Sequence, residues 1–178
     1  ASGVAYTARP LAEPTEEALA VELSGHLREL ENEVARGLTA RGDDELLVLD
    51  GPLRDRADVR GAIGYVKSHH VGYLDDATTP VLAQLEAGQR TPVFLITSAF
   101  SRWSWYVRLP GARPHPLSGI VRCEAATTVE VGDVGRLADR VTATLPRFAS
   151  RAFREPRAPQ NLTPIAGLEA QLKHRLGD

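Results

Sequence analysis

Asp50 is the first residue whose type and position could do chemistry. It directly follows the apolar run at residues 46–49 and precedes Gly51 and Pro52. A carboxylate is costly to bury unless it is hydrogen-bonded, paired or bound to a metal. Two interpretations stay open. Asp-Gly-Pro is a common turn sequence in which the aspartate caps the turn, and a carboxylate at the end of a buried strand is an oxygen ligand for a divalent cation.

Glu31 is the second candidate ligand. Apolar residues recur every three or four positions in residues 15–38, which predicts an amphipathic helix whose stripe faces a core. Glu31 lies one turn from two members of this stripe, so we expect it to point towards the sheet and to share a divalent cation with Asp50. Glu29 and Glu33 lie off the stripe and are expected to face solvent. The stripe consists of Leu23, Leu27, Leu30, Val34 and Leu38.

Lys67 ends the apolar segment "AIGYVK" much as Asp50 ends its own. A cation there could balance the carboxylates or hold a phosphate. The segment is not a phosphate-binding loop, because that motif needs glycine directly before the lysine and Val66 stands there. His69 and His70 are neighbours, so on a strand they point to opposite faces and at most one serves a given site. For each of them a surface or loop position is favoured.

Arginines are concentrated near the C-terminus. Arg147, Arg151 and Arg154 have the spacing of one helical face if "LPRFASRAFRE" is helical. They are either a solvated basic face or a surface that follows the phosphates of a single strand towards Asp50. Trp105 and Trp103 are candidate partners for stacking on bases. The two tryptophans share one face of a strand, so we expect both to be buried or both exposed.

The composition is that of a globular protein without a membrane span. The chain of 178 residues fits one domain, residues 1–178, with 43% hydrophobic residues. Its single cysteine excludes a disulfide framework and predicts a reduced, cytoplasmic compartment. Residues 1–50 hold 4 basic against 11 acidic residues, whereas residues 51–178 hold 17 against 12. A basic part beside an acidic part suits a metal-dependent enzyme that acts on a polyanion.

The pattern of elements predicts an α/β fold with a mixed sheet. Amphipathic periods and a Thr15 N-cap predict helices, and runs of β-branched and aromatic residues predict strands. Helices are predicted at 15–38, 77–89 (closed by Gly88), 133–146 and 165–178, and strands at 3–10, 45–50, 61–69, 91–98, 102–110 and 119–131.

Several segments together resemble the bacterial NurA nuclease family, in order, from about residue 20 to the C-terminus. They are "LLVLDGPL", "IGYVKSH", "LEAGQRTPVFLI", "RWSWYVRL", "GIVRCEA", "LPRFAS" and "REPRAPQNLTPIAGLEAQLKHRLGD". The resemblance implies an RNase H-like fold and a Mn²⁺-dependent deoxyribonuclease, with Mg²⁺ as the alternative ion. It further implies single-strand endonuclease and 5′→3′ exonuclease activity in DNA end resection and double-strand break repair. The implied partners are DNA, mainly single-stranded or at ends, a hexameric HerA-type translocase and a second copy of the chain.

The resemblance also implies roles for individual residues. Asp50 matches the family's second catalytic aspartate, Glu31 the glutamate of the preceding helix, and Lys67 the lysine of the following strand. Asp50 and Glu31 are the implied metal ligands, and His174 is the candidate for the family's C-terminal histidine.

One family feature has no counterpart in residues 1–20, namely an aspartate in a "DGS" strand before the long helix. We therefore expect the chain to be the C-terminal portion of such a domain, without its first strands, and to have little nuclease activity by itself. The alternative is a non-catalytic DNA-binding or translocase-docking module of the same fold.

Overall fold

A computed structural model describes residues 8, 10–39, 45–54, 56, 59, 61–68, 72–151 and 158–176. Most of the strand predicted at 3–10 lies outside these residues. In chain order the elements are α1 (Glu16–Thr39), β1 (Val48–Asp50), β2 (Ile63–Val66), α2 (Val81–Gln84), β3 (Phe94–Ile96), β4 (Arg102–Arg108), β5 (Ile120–Ala126), α3 (Val131–Thr144), a 3₁₀ helix (Leu145–Phe148) and α4 (Thr163–Leu176).

Five strands form one mixed sheet in the order β1-β2-β5-β4-β3. The strands β1 and β2 are parallel, with Asp50 opposite Tyr65, and every other neighbouring pair is antiparallel. The predicted α/β class with a mixed sheet and flanking helices is therefore confirmed. Because parallel strands end at the same edge, the ends of β1 and β2 lie side by side.

Helix α1 is confirmed in extent but not in orientation. Its N-cap is as predicted, since Thr15 Oγ1 accepts a hydrogen bond of 3.1 Å from the backbone N–H of Ala18. The apolar stripe, however, is exposed, with Val34 at 65%. The helix instead buries Asn32 and Ala35. The expectation that the stripe faces the core is wrong, because the helix packs on the sheet through the narrow side that carries the small Ala35.

The main core lies on one face of the sheet. Side chains on alternate positions of β2, β4 and β5 pack there against the buried side of α3. Val141 and Leu145 are buried as predicted, and Leu137 is half-buried against the same cluster. The predicted helix at 77–89 is shorter than expected, because α2 ends at Gln84.

Charged residues occupy the opposite face of the central strands and are buried as well. This face carries Arg102 and Arg108 on β4 and Arg122 and Glu124 on β5. Small satellite cores cover its ends, one of them formed by Ala35, Leu49, Leu53, Val59 and Ala62. Among the helices of the described residues, none has the length and apolar character that crossing a membrane requires.

Candidate functional site

Asp50 and Lys67 meet at the edge where β1 and β2 end. Lys67 Nζ lies 2.7 Å from Asp50 Oδ2, and the side chains of Lys67 and Asp50 are 23% and 36% exposed. The sequence left open whether Lys67 balances a carboxylate or holds a phosphate. The structure shows that it balances the carboxylate of Asp50, while its partial exposure leaves it accessible from solvent.

Glu31 is connected to the same edge through Arg56. Arg56 donates one hydrogen bond of 3.0 Å to the backbone oxygen of Asp50 and another, from Nη2, to Glu31 Oε2. Glu31 stays 52% exposed and Arg56 is 8% exposed. The partner of the Glu31 carboxylate is thus a guanidinium, rather than a cation shared with the Asp50 carboxylate. Glu29 and Glu33 are exposed, as predicted.

A cleft of about 520 Å³ opens beside Asp50. We call it the Asp50 cleft. Among the described residues that line it, Asp50 is the one carboxylate. Four cationic side chains line it as well: Arg54, Lys67, Arg102 and Arg122. Tyr65 and Tyr73 also contribute to the wall. Burial raises the pKa of the Tyr65 phenol, so this group is neutral at physiological pH. The surplus of cations makes the cleft a suitable place for an anion.

Glu124 lies beneath this cleft and was not anticipated from the sequence. It is fully buried and accepts hydrogen bonds from Arg102 Nε (2.7 Å), from Arg122 Nη1 and from the backbone N–H of Leu53 (3.0 Å). The charged residues alternate with apolar ones along β4 and β5, a pattern that alone predicts a solvent-facing side. The signal that could have identified the cluster is the presence of both signs of charge on two adjacent central strands.

The described residues do not by themselves fit the Mn²⁺ site that the resemblance implies. Mn²⁺ and Mg²⁺ prefer carboxylate and water oxygens, usually with at least one or two protein carboxylates. Asp50 is paired with Lys67 and Glu31 with Arg56. Within the part of the chain that the structure describes, no three His, Cys, Asp or Glu side chains form a group that could hold a metal ion. Further oxygen ligands would have to come from outside these residues.

The arginines near the C-terminus do not form the predicted helical face. The 3₁₀ helix ends at Phe148, and Ala149 is extended with ψ of 132°. Arg147 and Arg151 are nevertheless both exposed and line a groove of about 770 Å³. Arg154 lies outside the described residues. Gln160 also lines this groove, and its backbone oxygen accepts a hydrogen bond of 2.7 Å from the hydroxyl of Tyr65, whose side chain is buried in the main core.

Trp105 is fully buried in the main core, and Trp103 is half-buried against it. The expectation that the two tryptophans share one face of the strand and lie on the same side of the sheet, towards the core, is confirmed. A stacking role for Trp105 is at odds with this placement, because its ring presents no face to a base. His174 is exposed in the last turn of α4 and is not among the residues that line the Asp50 cleft. His69 and His70 lie outside the described residues.

The chain was compared with protein families and with curated proteins. No family model matches the chain, and no curated protein matches it.

Proposed function

We propose that the chain is a NurA-like deoxyribonuclease domain with an RNase H-like fold, and that the Asp50 cleft receives the phosphodiester. The observation that carries the proposal is the Asp50–Lys67 pair at the mouth of a cationic cleft. A carboxylate beside a lysine at the edge of a sheet is the arrangement that the resemblance implies for this site.

The charges of the cleft suit a DNA strand. Lys67 and Arg54 are the more exposed cations of the cleft, and cationic side chains account for most of the affinity of contacts with phosphates. Arg147 and Arg151 add two exposed cations at a second groove.

Dependence on Mn²⁺, or on Mg²⁺ in its place, belongs to the same proposal. Asp50 is the one described residue of the cleft that could serve as a carboxylate ligand. The proposal therefore requires additional ligands from outside the described residues.

A homodimer bound to a hexameric HerA-type translocase in the cytoplasm is likewise proposed from the resemblance. The exposed stripe of α1 supports an interaction surface, because contiguous exposed apolar residues commonly mark sites of protein association. It consists of Leu23, Leu27, Leu30, Val34 and Leu38.

A second candidate is a DNA-binding or translocase-docking module without catalysis. The ion pairs favour this candidate, because both predicted metal ligands, Asp50 and Glu31, are already held by cations.

The two candidates are separated by one assay on a labelled single-stranded oligonucleotide with Mn²⁺. The nuclease predicts slow, chelator-sensitive cleavage that Asp50→Asn abolishes and that Arg136→Ala, an exposed position on α3, leaves unchanged. Binding without cleavage supports the module. Absence of both binding and cleavage contradicts the nuclease and a DNA-binding module, and leaves the translocase-docking module.

A further inference from the structure

In the described part of the chain, the charged cluster beneath the Asp50 cleft has more cations than carboxylates. Arg102 and Arg122 share the single carboxylate of Glu124, and all three residues are at least nine-tenths buried. A buried charge without a partner is unfavourable. The carboxylate of Asp50, which also lines the cleft, is paired with Lys67. Counted over the described residues, two guanidinium groups therefore face one carboxylate in this cluster.

The two guanidinium groups are not equivalent. Arg102 donates to Glu124, Ser98 Oγ, the backbone oxygen of Phe100 and the hydroxyl of Tyr73. The one acceptor described for Arg122 is Glu124. Arg102 is therefore largely occupied in holding the loop before β4, whereas Arg122 has further N–H donors without an acceptor among the described residues.

Tyr73 fixes the position of Arg122. Its ring centroid lies 4.6 Å from the Arg122 guanidinium carbon, a cation–π distance. Glu124 holds Nη1 from a second direction. A guanidinium held on two sides is already oriented when it meets a ligand, so little side-chain entropy is lost on binding.

We propose that, within the Asp50 cleft, Arg122 and the exposed Arg54 form a subsite for one phosphate group, made of residues other than the Asp50–Lys67 pair. A planar guanidinium binds phosphate oxygens through two parallel hydrogen bonds. The exposed Arg54 adds a second cation from the loop that follows Asp50. Assignment of this phosphate to a DNA strand rests on the proposed function, whereas the phosphate chemistry itself does not.

The test measures binding of inorganic phosphate, and separately of a single-stranded oligothymidylate, by titration calorimetry at constant ionic strength. We expect Arg122→Gln to weaken phosphate binding about tenfold or more, because a hydrogen bond to a charged group is removed. Arg54→Ala should weaken it by about threefold, since an exposed charge contributes less. Arg136→Ala is the matched control and should bind as the unchanged chain does.

The outcomes separate the subsite from the nuclease proposal. If the oligonucleotide competes with phosphate and both depend on Arg54 and Arg122, the subsite holds a strand phosphate. If phosphate binds with this dependence and the oligonucleotide does not compete, the subsite stands and takes a free phosphate or phosphomonoester. Phosphate binding unaffected by Arg54→Ala and by a folded Arg122→Lys overturns the subsite, whatever the cleavage assay shows. Because Arg54 is exposed, its variant tests the subsite even if Arg122→Gln does not fold.

Discussion

Lys67 and Asp50 form an ion pair between the ends of two parallel strands, with 2.7 Å between Nζ and Oδ2. The pairing follows from topology, because Asp50 lies opposite Tyr65 and Lys67 is two residues further along the chain from Tyr65. Each residue partly neutralises the charge of the other. The lysine provides the carboxylate with a counter-charge at the edge of the sheet, and the carboxylate partly offsets the attraction of the lysine for anions.

The pair predicts effects of opposite sign on binding of single-stranded DNA. Asp50→Asn removes a negative charge from the cleft and should tighten binding by about twofold to fivefold, whereas Lys67→Ala should weaken it by a similar factor. The salt dependence should also become shallower in Lys67→Ala, by roughly 0.7 for each phosphate that is no longer neutralised. Fluorescence anisotropy over a series of salt concentrations measures both. Weaker binding in both variants would contradict a cleft that takes DNA.

Glu124 should make a large contribution to the stability of the charged face of the sheet, which lies opposite the main core. Glu124→Gln leaves two buried guanidinium groups without a carboxylate, and breaking such a pair costs about 3–5 kcal/mol. We expect the free energy of unfolding in urea to fall by that amount. Glu33→Gln on the exposed side of α1 is the control and should change it by less than about 0.5 kcal/mol. Equal effects in the two variants would mean that Glu124 does not organise the cluster.

Gly64 is expected to set the position of the loop after Asp50. A Cβ at this position would lie 3.0 Å from the backbone oxygen of Gly51 and 3.0 Å from Leu53 Cγ. Gly64→Ala should therefore displace the loop and lower the free energy of unfolding by about 1–3 kcal/mol. Gly25→Ala in α1 meets no atom within 4 Å. It should instead stabilise the helix by about 0.5–1 kcal/mol, so denaturation of the two variants should shift in opposite directions.

Much of the fold follows from local sequence pattern. The helix at 15–38, the strand that ends at Asp50 and the N-cap at Thr15 are all found close to their predicted places. The strand β2 (Ile63–Val66) lies within the strand predicted at 61–69 but is shorter. These features depend on backbone preferences and on the spacing of apolar residues, both of which are determined by residues close together in the sequence.

The orientation of α1 could not be predicted in this way. The period of an apolar stripe shows that one side of a helix differs from the other, but not whether another element covers it. Leu27 and Val34 are exposed, whereas Asn32 and Ala35 are buried. The assignment of Glu31 to a core-facing side failed for the same reason.

The site residues that the sequence missed depend on contacts between distant segments. Glu124 reaches Leu53, 71 residues away in the chain, and Arg56 reaches Glu31, 25 residues away. No local pattern encodes such pairs. A strand with alternating charges looks solvent-exposed, and here Tyr73 and the loop after Asp50 cover it.

Alkaline pH should destabilise the protein through two groups on the main core face. Burial is the largest cause that raises the pKa of the Tyr65 phenol, and burial likewise raises the pKa of the Cys123 thiol. In the unfolded chain these groups ionise near their ordinary pKa values of about 10 and about 8.5. Above those values the unfolded state binds fewer protons than the folded state, so the free energy of unfolding falls as pH rises.

The expected slope is about 1.4 kcal/mol per pH unit for each group that is ionised only in the unfolded chain. Stability should be level below about pH 8, decline from about pH 9 as the thiol titrates, and decline more steeply above about pH 10. Urea denaturation at half-unit intervals from about pH 7 to about pH 11 measures it. Cys123→Ala should remove the first part of the decline and Tyr65→Phe part of the second. Tyr106, whose pKa burial also raises, should leave a residual slope in the double variant. If the free energy of unfolding falls with pH as steeply in the Cys123→Ala, Tyr65→Phe double variant as in the unchanged chain, neither group titrates in this way.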